Sequence, residues 1–444
     1  MKNVKIMFVI GLLFLTALWM LADTFSPVPF TYFSFRSVFI QYSGVIGIAA
    51  MSVSMLLATR VKWLERPLNG LDKMYRLHKW LGITGLVFSV LHWWWAQGTK
   101  WMVGWGWLNR PEKKAQNIEA LPQLQQWFLE QRSLAESIGE WAFYLAVLLI
   151  ILALLKSFPY HLFVKTHKWL AIVYLLLAYH SAVLIKYDYW SQPIGWLTVV
   201  MLIAGSISAL IVLTGQVGRS RKVQGEIISL TSYPGIRVIA STIKLNPGWA
   251  GHRPGQFAFV SSKKSERAPP YTIASAWNEQ ESTLTFVVKE LGDWTKQLSQ
   301  WLKVGMPVSV EGPYGCFDFK DERSRQIWIG AGIGVTPFIA KMQHLMKDRG
   351  SREVDFFHVT ADYDQAAIDK LKETASKANV RLHIMITPKD GRLTPDKIRE
   401  LVPDWQNASF WFCGPSEFGS ALQHDFVQHG LDANDYHQEL FAMR

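Results

Sequence analysis

The chain has 444 residues, 50% of them hydrophobic and 18% charged, with a formal net charge of +11, so it is too long and too apolar for a disordered tail or a disulfide-stapled mini-protein. Its two cysteines, Cys316 and Cys413, exclude a disulfide framework and any Cys-rich metal or iron–sulfur site. Twenty-one tryptophans, most of them in the first half beside long apolar runs, fit rings anchored at a bilayer surface.

Up to about Leu213, six uncharged apolar stretches recur at lengths near the roughly 20 residues a helix needs to cross about 30 Å of hydrocarbon. They run approximately Ile6–Ala22, Val38–Ala58, Trp80–Trp95, Ile138–Leu155, Trp169–Ile185 and Ile194–Leu213, blocks too continuous for a strand barrel in a membrane. The first follows Lys2 and Lys5, as a signal peptide would, but no clear small-residue cleavage site stands near Asp23. Basic residues crowd alternate connections: Lys2 and Lys5, then Arg60 to Lys79, then Lys156, Lys165 and Lys168, then Arg219, Arg221 and Lys222. The positive-inside rule places those connections in the cytoplasm, so the third and fifth stretches run parallel, from inside to outside. The segment between about Gln97 and Glu136 suits an outer interfacial loop. Much of the +11 is therefore a topology signal, and no nucleic-acid partner is expected.

From Val223 the pattern turns to short β-branched runs, Ile236–Ile243, Phe257–Ser261 and Thr283–Val288, between Pro, Gly and Asn turns, as in a small antiparallel barrel. From Gln326, apolar runs at Ile327–Ile329, Val354–Val359, Arg381–Thr387 and Ser409–Phe412 alternate with helical stretches including Ala366–Lys377 and Pro395–Leu401, the pattern of a parallel α/β sheet.

Ionisable side chains inside membrane helices are costly and are functional candidates by default. The third stretch carries His78 and His92 and the fifth carries His167 and His180, two of them in the near-repeats Leu77-His78-Lys79-Trp80-Leu81 and Thr166-His167-Lys168-Trp169-Leu170. At about 1.5 Å per residue the pairs are separated by roughly 21 Å and 19.5 Å, giving an inner and an outer level that suit two stacked haems with bis-imidazole iron. Lys79, Lys168 and Arg76 could pair with propionates at the inner level. Fourteen residues return to within roughly 40° of the starting face, but thirteen leave His180 about 140° away, so the fifth helix must bend or wind irregularly. Interfacial or hydrogen-bonded core histidines are the alternative, and His161 reads as surface.

In the barrel, Arg253-Pro254-Gly255-Gln256-Phe257 precedes one strand and Pro270-Tyr271-Thr272-Ile273-Ala274-Ser275 forms another, an aromatic and a hydroxyl that can stack on an isoalloxazine and hydrogen-bond its edge. Lys289, at the end of the Thr283–Val288 run, joins these candidate cofactor contacts. Gly292-Asp293-Trp294-Thr295 opens a helical stretch whose free N–H groups could take a diphosphate. Downstream, strand, Gly-rich turn and helix follow one another over Ile327 to Phe338, and Gly330, Gly332, Gly334, Val335, Thr336 and Pro337 form a turn where backbone can approach a pyrophosphate. Val335 replaces the third Gly of the usual dinucleotide fingerprint. Cys413-Gly414-Pro415 follows the last clear strand, placing a soft side chain where a nicotinamide would lie, although Cys413 could equally be a small buried hydrophobe.

On the 14- and 13-residue His spacings, Pro270-Tyr271-Thr272, Gly292–Thr295, Glu311-Gly312-Pro313-Tyr314-Gly315, the Gly330–Phe338 loop and Cys413-Gly414-Pro415, the chain resembles the NADPH oxidase and ferric reductase family, in particular its bacterial stand-alone flavocytochrome b members, over nearly its whole length. The resemblance implies a six-helix transmembrane haem domain over residues 1–216, a ferredoxin-reductase-like antiparallel β-barrel binding FAD over 217–322, and an NAD(P)-binding α/β domain with a parallel sheet over 323–444. It makes His78 and His167 ligands of an inner haem b and His92 and His180 ligands of an outer one. It also implies that Tyr271 and Thr272 contact the flavin, that Gly330, Gly332, Gly334 and Thr336 face the dinucleotide, and that Phe441 covers the flavin ring until nicotinamide displaces it.

Two departures stand out. Pro269 replaces the usual His before the Pro-aromatic-Thr motif, and Thr360-Ala361-Asp362-Tyr363-Asp364 lacks the Arg that commonly grips a 2′-phosphate. Asp362 or Asp364 is expected to repel that phosphate, which makes NADH at least as plausible as NADPH. The expected protein is a multi-pass protein of the bacterial cytoplasmic membrane with its soluble domains in the cytoplasm. It carries electrons from NAD(P)H through FAD and two haems to an outer acceptor, with O2 giving superoxide favoured over a ferric chelate or a periplasmic partner protein. A ferric-chelate site would want a basic vestibule, for which Arg36, Lys100 and Arg110 are the candidates.

Overall fold

A computed structural model describes residues 2–109, 118–262, 269–290, 298–348, 350 and 352–439. The chain divides into two compact units that change over between Val217 and Gly218, with residues 69–72 grouped with the second.

The first unit is helical: α1 (Lys2–Met20), α2 (Tyr32–Ala58), α3 (Leu71–Trp93), α4 (Gln123–Leu154), α5 (Tyr160–His167), α6 (Leu170–Leu184) and α7 (Pro193–Leu213). Chemistry sets the boundaries. A capping box opens α2, with the Thr31 hydroxyl accepting from the Ser34 N–H and the Ser34 hydroxyl accepting from the Thr31 N–H, and Pro193 occupies the first turn of α7, where its missing N–H costs nothing. Among the described residues, four helical runs are long and apolar enough to cross a membrane: Tyr32–Ala58, Gln123–Leu154, His161–Leu184 and Pro193–Leu213. This is fewer than the six expected, because the apolar part of α1, Val4–Met20, is shorter, and because α3 opens with Asp72, Lys73, Arg76 and Lys79.

Tyr174 on α6 is fully buried and exchanges a hydrogen bond with Ser52 on α2, 2.8 Å between hydroxyls, so two polar groups in an apolar interior satisfy one another. The break between α5 and α6 answers the phase problem of the fifth stretch. At Lys168 and Trp169 the backbone tightens, with Trp169 N–H bonding Thr166 C=O and Ala171 N–H bonding Lys168 C=O, three residues apart. Each residue wound that way turns about 120° instead of about 100°, which recovers part of the roughly 140° that thirteen regular residues leave missing.

The second unit holds two sheets. The first is six-stranded and antiparallel: β1 (Lys222–Tyr233), β2 (Val238–Leu245), β3 (Phe257–Ser261), β4 (Pro270–Thr272), β5 (Thr283–Lys289) and β6 (Pro307–Tyr314), in the order β4-β3-β6-β1-β2-β5. A bridge between Ile273 and Phe286 brings the two edges together and encloses an apolar core of Ile243, Leu284, Phe286 and Val310. The second sheet is parallel, with β7 (Arg325–Ala331), α8 (Thr336–Lys347), β8 (Glu353–Thr360), α9 (Gln365–Lys377), β9 (Arg381–Ile386), α10 (Pro395–Leu401), β10 (Ala408–Cys413), α11 (Ser416–Gln428) and β11 (Tyr436–Gln438), in the order β11-β10-β7-β8-β9. The central strands β7 and β10 are buried on both faces, the continuous apolar pattern that helices on either side require.

Candidate functional site

The four histidines of α3, α5 and α6 meet in two pairs. The His78 and His167 rings lie 5.8 Å apart between centroids at 68°, and the His92 and His180 rings 6.1 Å apart at 79°. Two imidazoles ligating one metal through nitrogens at about 2 Å, each ring centre about 1 Å behind its nitrogen, stand about 6 Å apart. Three of the four rings have a fixed tautomer. His78 Nδ1 lies 2.9 Å from the Ser54 carbonyl, His92 Nδ1 2.9 Å from that of Ile40, and His180 Nδ1 2.8 Å from that of Ala135. A carbonyl can only accept, so each Nδ1 carries the proton and each neutral ring keeps its lone pair on Nε2, the arrangement a metal-binding histidine needs. These carbonyls were missed in the sequence, because a backbone acceptor leaves no mark in residue type.

No group of three or more His, Cys, Asp or Glu side chains able to hold a metal occurs among the described residues. Each level thus offers two protein nitrogens, and a six-coordinate ion there would take its other four donors from a macrocycle. The residues fit a haem at each level on donor chemistry and spacing. The basic vestibule fares differently. Arg36 donates from Nε to the Trp95 carbonyl at 2.9 Å and from Nη2 to the Ala96 carbonyl at 3.2 Å, inside a π-helical turn at Trp94–Gly98. Its guanidinium serves carbonyls that this wide turn misaligns. Lys100 is exposed, and Arg110 lies outside the described residues.

In the second unit, Gly330, Gly332, Gly334, Val335, Thr336 and Pro337 form the expected strand, turn and helix start. Gly332 has φ +57°, and a methyl on Gly334 would overlap the Cys413 carbonyl and approach Gly414 N at 3.1 Å. The Gly330 and Cys413 strand ends are register partners, so the two loops interlock at the carboxyl edge of the sheet. Pro337 lies in the first turn of α8, which follows this turn directly and starts at that edge, with the Thr336 N–H bonded to the Ile333 carbonyl. Gly414 and Pro415 lead from this edge into α11.

Several side chains take other roles. Cys413 is fully buried among Phe317, Phe338 and Trp411, and this burial holds its thiol well above its ordinary pKa, so it is a small core hydrophobe and not a group facing a nicotinamide. Phe257 (1% exposed) stacks on Tyr314, and Ile273 is fully buried, which limits both to structural roles or to backbone contacts with a cofactor. Gln256 accepts from the Arg253 N–H at 2.9 Å and donates to the Gly315 carbonyl at 3.2 Å, Arg253 pairs with Asp318 at 3.0 Å, and the Ser275 hydroxyl accepts from Thr285 N–H at 3.0 Å. Pro254 sits in the turn before β3. Tyr271 packs on Phe286, and Thr272, directly beside it on β4, is buried. Gly292, Trp294, Thr295 and Phe441 lie outside the described residues.

A cavity of about 160 Å³ lies between β2 and β5 of the first sheet and the Gly332 turn, β8 and α9 of the second. At its rim Asp362 pairs with Lys289 at 2.5 Å and faces Arg237 at 4.0 Å, and the Lys289 ammonium holds its carboxyl below the ordinary carboxylate range. Asp364 caps α9 through Ala367 N–H and accepts from Gly235 N–H, both at 3.1 Å. Of the two acids expected to repel a 2′-phosphate, Asp362 has its charge offset by Lys289, whereas Asp364 is held by neutral backbone N–H groups and keeps its negative charge. His358 also lines this cavity, its Nδ1 3.2 Å from the Gly330 carbonyl, and burial pushes its pKa down to about 4. The unfolded chain therefore binds one more proton here between pH 6.5 and about 4, so stability falls as pH falls through that window. His358→Gln should remove on the order of 2–3 kcal/mol of this acid sensitivity, read from the thermal midpoint of the full chain at pH 7 and pH 4.5.

A family model described as the ferric reductase like transmembrane component matches residues 43–178, and an FAD-binding domain model matches 226–317. Respiratory burst oxidase homolog protein E of Arabidopsis thaliana is 26% identical over 44% of this chain and 23% of its own length, and ferric reduction oxidase 5 of the same plant is 31% identical over 34% of this chain and 24% of its own. In its transmembrane and FAD-binding parts the chain is similar to the NADPH oxidase and ferric reductase family. A flavohemoprotein of Oceanobacillus iheyensis is also similar, 29% identical over 34% of this chain and 40% of the relative. The chain spans less than half the length of each of these relatives. Within the NADPH oxidase and ferric reductase family match, the transmembrane component takes in His78, His92 and His167 and ends two residues before His180, and the FAD-binding domain takes in Arg253, Tyr271, Thr272 and Lys289.

Proposed function

We propose that this chain is a multi-pass oxidoreductase of the bacterial cytoplasmic membrane that takes electrons from NADPH or NADH on the cytoplasmic side and delivers them to O2 outside, forming superoxide. Six membrane-crossing helices, a closed FAD-binding barrel and a cytoplasmic nucleotide domain complete this reading. Its support is the pairing of four histidines at two depths, His78 with His167 and His92 with His180, with Nδ1–H groups fixed on carbonyls at three of them. When bound, FAD supplies the exchange between a hydride pair and single electrons, and two haems b supply one-electron carriers. His78 and His167 hold the inner haem and His92 and His180 the outer one. Tyr271 and Thr272 orient the flavin, and the Gly330–Pro337 turn binds the dinucleotide diphosphate.

Superoxide formation is preferred to ferric-chelate reduction because Arg36, the best placed basic group, is spent on the Trp95 and Ala96 carbonyls. The test is an anaerobic titration of the purified chain with NADH and NADPH, followed by oxygen or an Fe(III) chelate. The expected result is a reduced b-type spectrum that oxygen reoxidises, with cytochrome c reduction abolished by superoxide dismutase. A chain without a Soret band sinks the reading, and reoxidation by the chelate but not by oxygen reassigns the acceptor.

A further inference from the structure

The three Nδ1–H acceptors share a geometry that residue types do not announce. Each is the carbonyl of a helix residue whose neighbour four positions on, one turn up the same face, is small: Ile40 is followed by Gly44, Ala135 by Gly139 and Ser54 by Ala58. In the outer pair the small residue is glycine on both sides, contributed by two different helices, α2 and α4. A methyl on Gly139 would overlap the His180 ring, reaching 2.6 Å from Cγ, and a methyl on Gly44 would stand 3.3 Å from both Cε1 and Nδ1 of His92. Each imidazole therefore lies against bare helix backbone, held by a carbonyl at one turn and given room by a glycine at the next.

We propose that Gly139 and Gly44 are positioning residues for the outer pair, forming with Ala135 and Ile40 two carbonyl–glycine seats that fix the ring planes of His180 and His92. The proposal rests on the reading that this pair ligates haem. The tilt of an axial imidazole and the strength of its Nδ1 hydrogen bond govern the basicity of Nε2 toward iron, so the seats set the ligand field and potential of that centre. The two seats differ in tolerance. At Gly139 the added methyl meets the ring itself and His180 must leave its carbonyl, whereas at Gly44 a few tenths of an ångström suffice.

The test uses the full chain purified in detergent, with Gly139→Ala, Gly44→Ala and, as a control in a position with open space around it, Gly11→Ala. Haem per protein, the low-spin electron paramagnetic resonance signals and the two midpoint potentials are read without turnover. Gly139→Ala should lose or convert one of the two low-spin signals, about half of the total, leaving the other at its wild-type position. Gly44→Ala should keep both haems but displace the same signal and potential that Gly139→Ala removes, and Gly11→Ala should match the wild type. Unaltered spectra in Gly139→Ala overturn the seats, as does loss of both centres in Gly139→Ala with Gly44→Ala unchanged, which marks a general packing defect. A wild-type chain that binds no haem overturns the proposed function itself, an outcome distinct from either.

Discussion

His92→Leu should leave a chain that still reduces its flavin from NAD(P)H, carries about half the haem of the wild type and delivers no electrons to an outer acceptor. The argument starts from ligand count. The outer level holds two imidazoles, and no third His, Cys, Asp or Glu among the described residues is gathered with them, so removing one leaves an iron with a single protein ligand and an apolar neighbour of similar volume. The inner level keeps His78 and His167, the Ser54 hydroxyl and carbonyl remain on His78 Nδ1, and the nucleotide turn belongs to the other compact unit. Flavin bleaching on adding NADPH, haem per protein and acceptor reduction by sealed vesicles read the three quantities separately. A variant with full haem content would show that His92 is a hydrogen-bonded core residue.

Gly334→Ala should have the converse effect: nucleotide-dependent flavin reduction slower on the order of 100-fold, the penalty for displacing a reacting group by about an ångström, with dithionite-reduced haem spectra unchanged. The added carbon overlaps the Cys413 carbonyl, and neither side can yield cheaply, because both loops end paired strands of the same sheet. Relief must come from opening the interlock between the Gly330–Pro337 turn and Cys413–Pro415, which moves the glycine turn and the first turn of α8 away from any bound diphosphate. Stopped-flow flavin reduction over a range of NADPH and NADH measures it, and wild-type rates would show that this turn does not approach the nucleotide.

The division of the chain and the histidine levels were legible in the sequence because their signals are local: long apolar blocks, a change of period near Val223, and ionisable residues where charge is expensive. Three features were not, for separate reasons. The overwinding at Lys168 and Trp169 that helps to bring His180 round is backbone geometry without a Pro or Gly to announce it. For Cys413 the sequence leaves open a soft side chain facing a nicotinamide or a small buried hydrophobe, until Phe317 and Phe338, from distant parts of the chain, pack with Trp411 around it. Asp362 reads as a free acid until Lys289, 73 residues earlier, is brought against it by the pairing of the two sheets of the second unit. The environment of Asp362 was decided by a neighbour far away in sequence, which composition and spacing do not encode.

The carbonyl locks on His78, His92 and His180 also bear on energy conversion. A ring whose only N–H is tied to a helix backbone has no proton to relay, so on the proposed function charge passes between the two levels unaccompanied and the reaction is electrogenic. With the cell interior negative, each electron crossing the full bilayer releases about 2.3 kcal/mol per 100 mV, so sustained turnover depolarises the cell and slows unless counter-ions follow by another route.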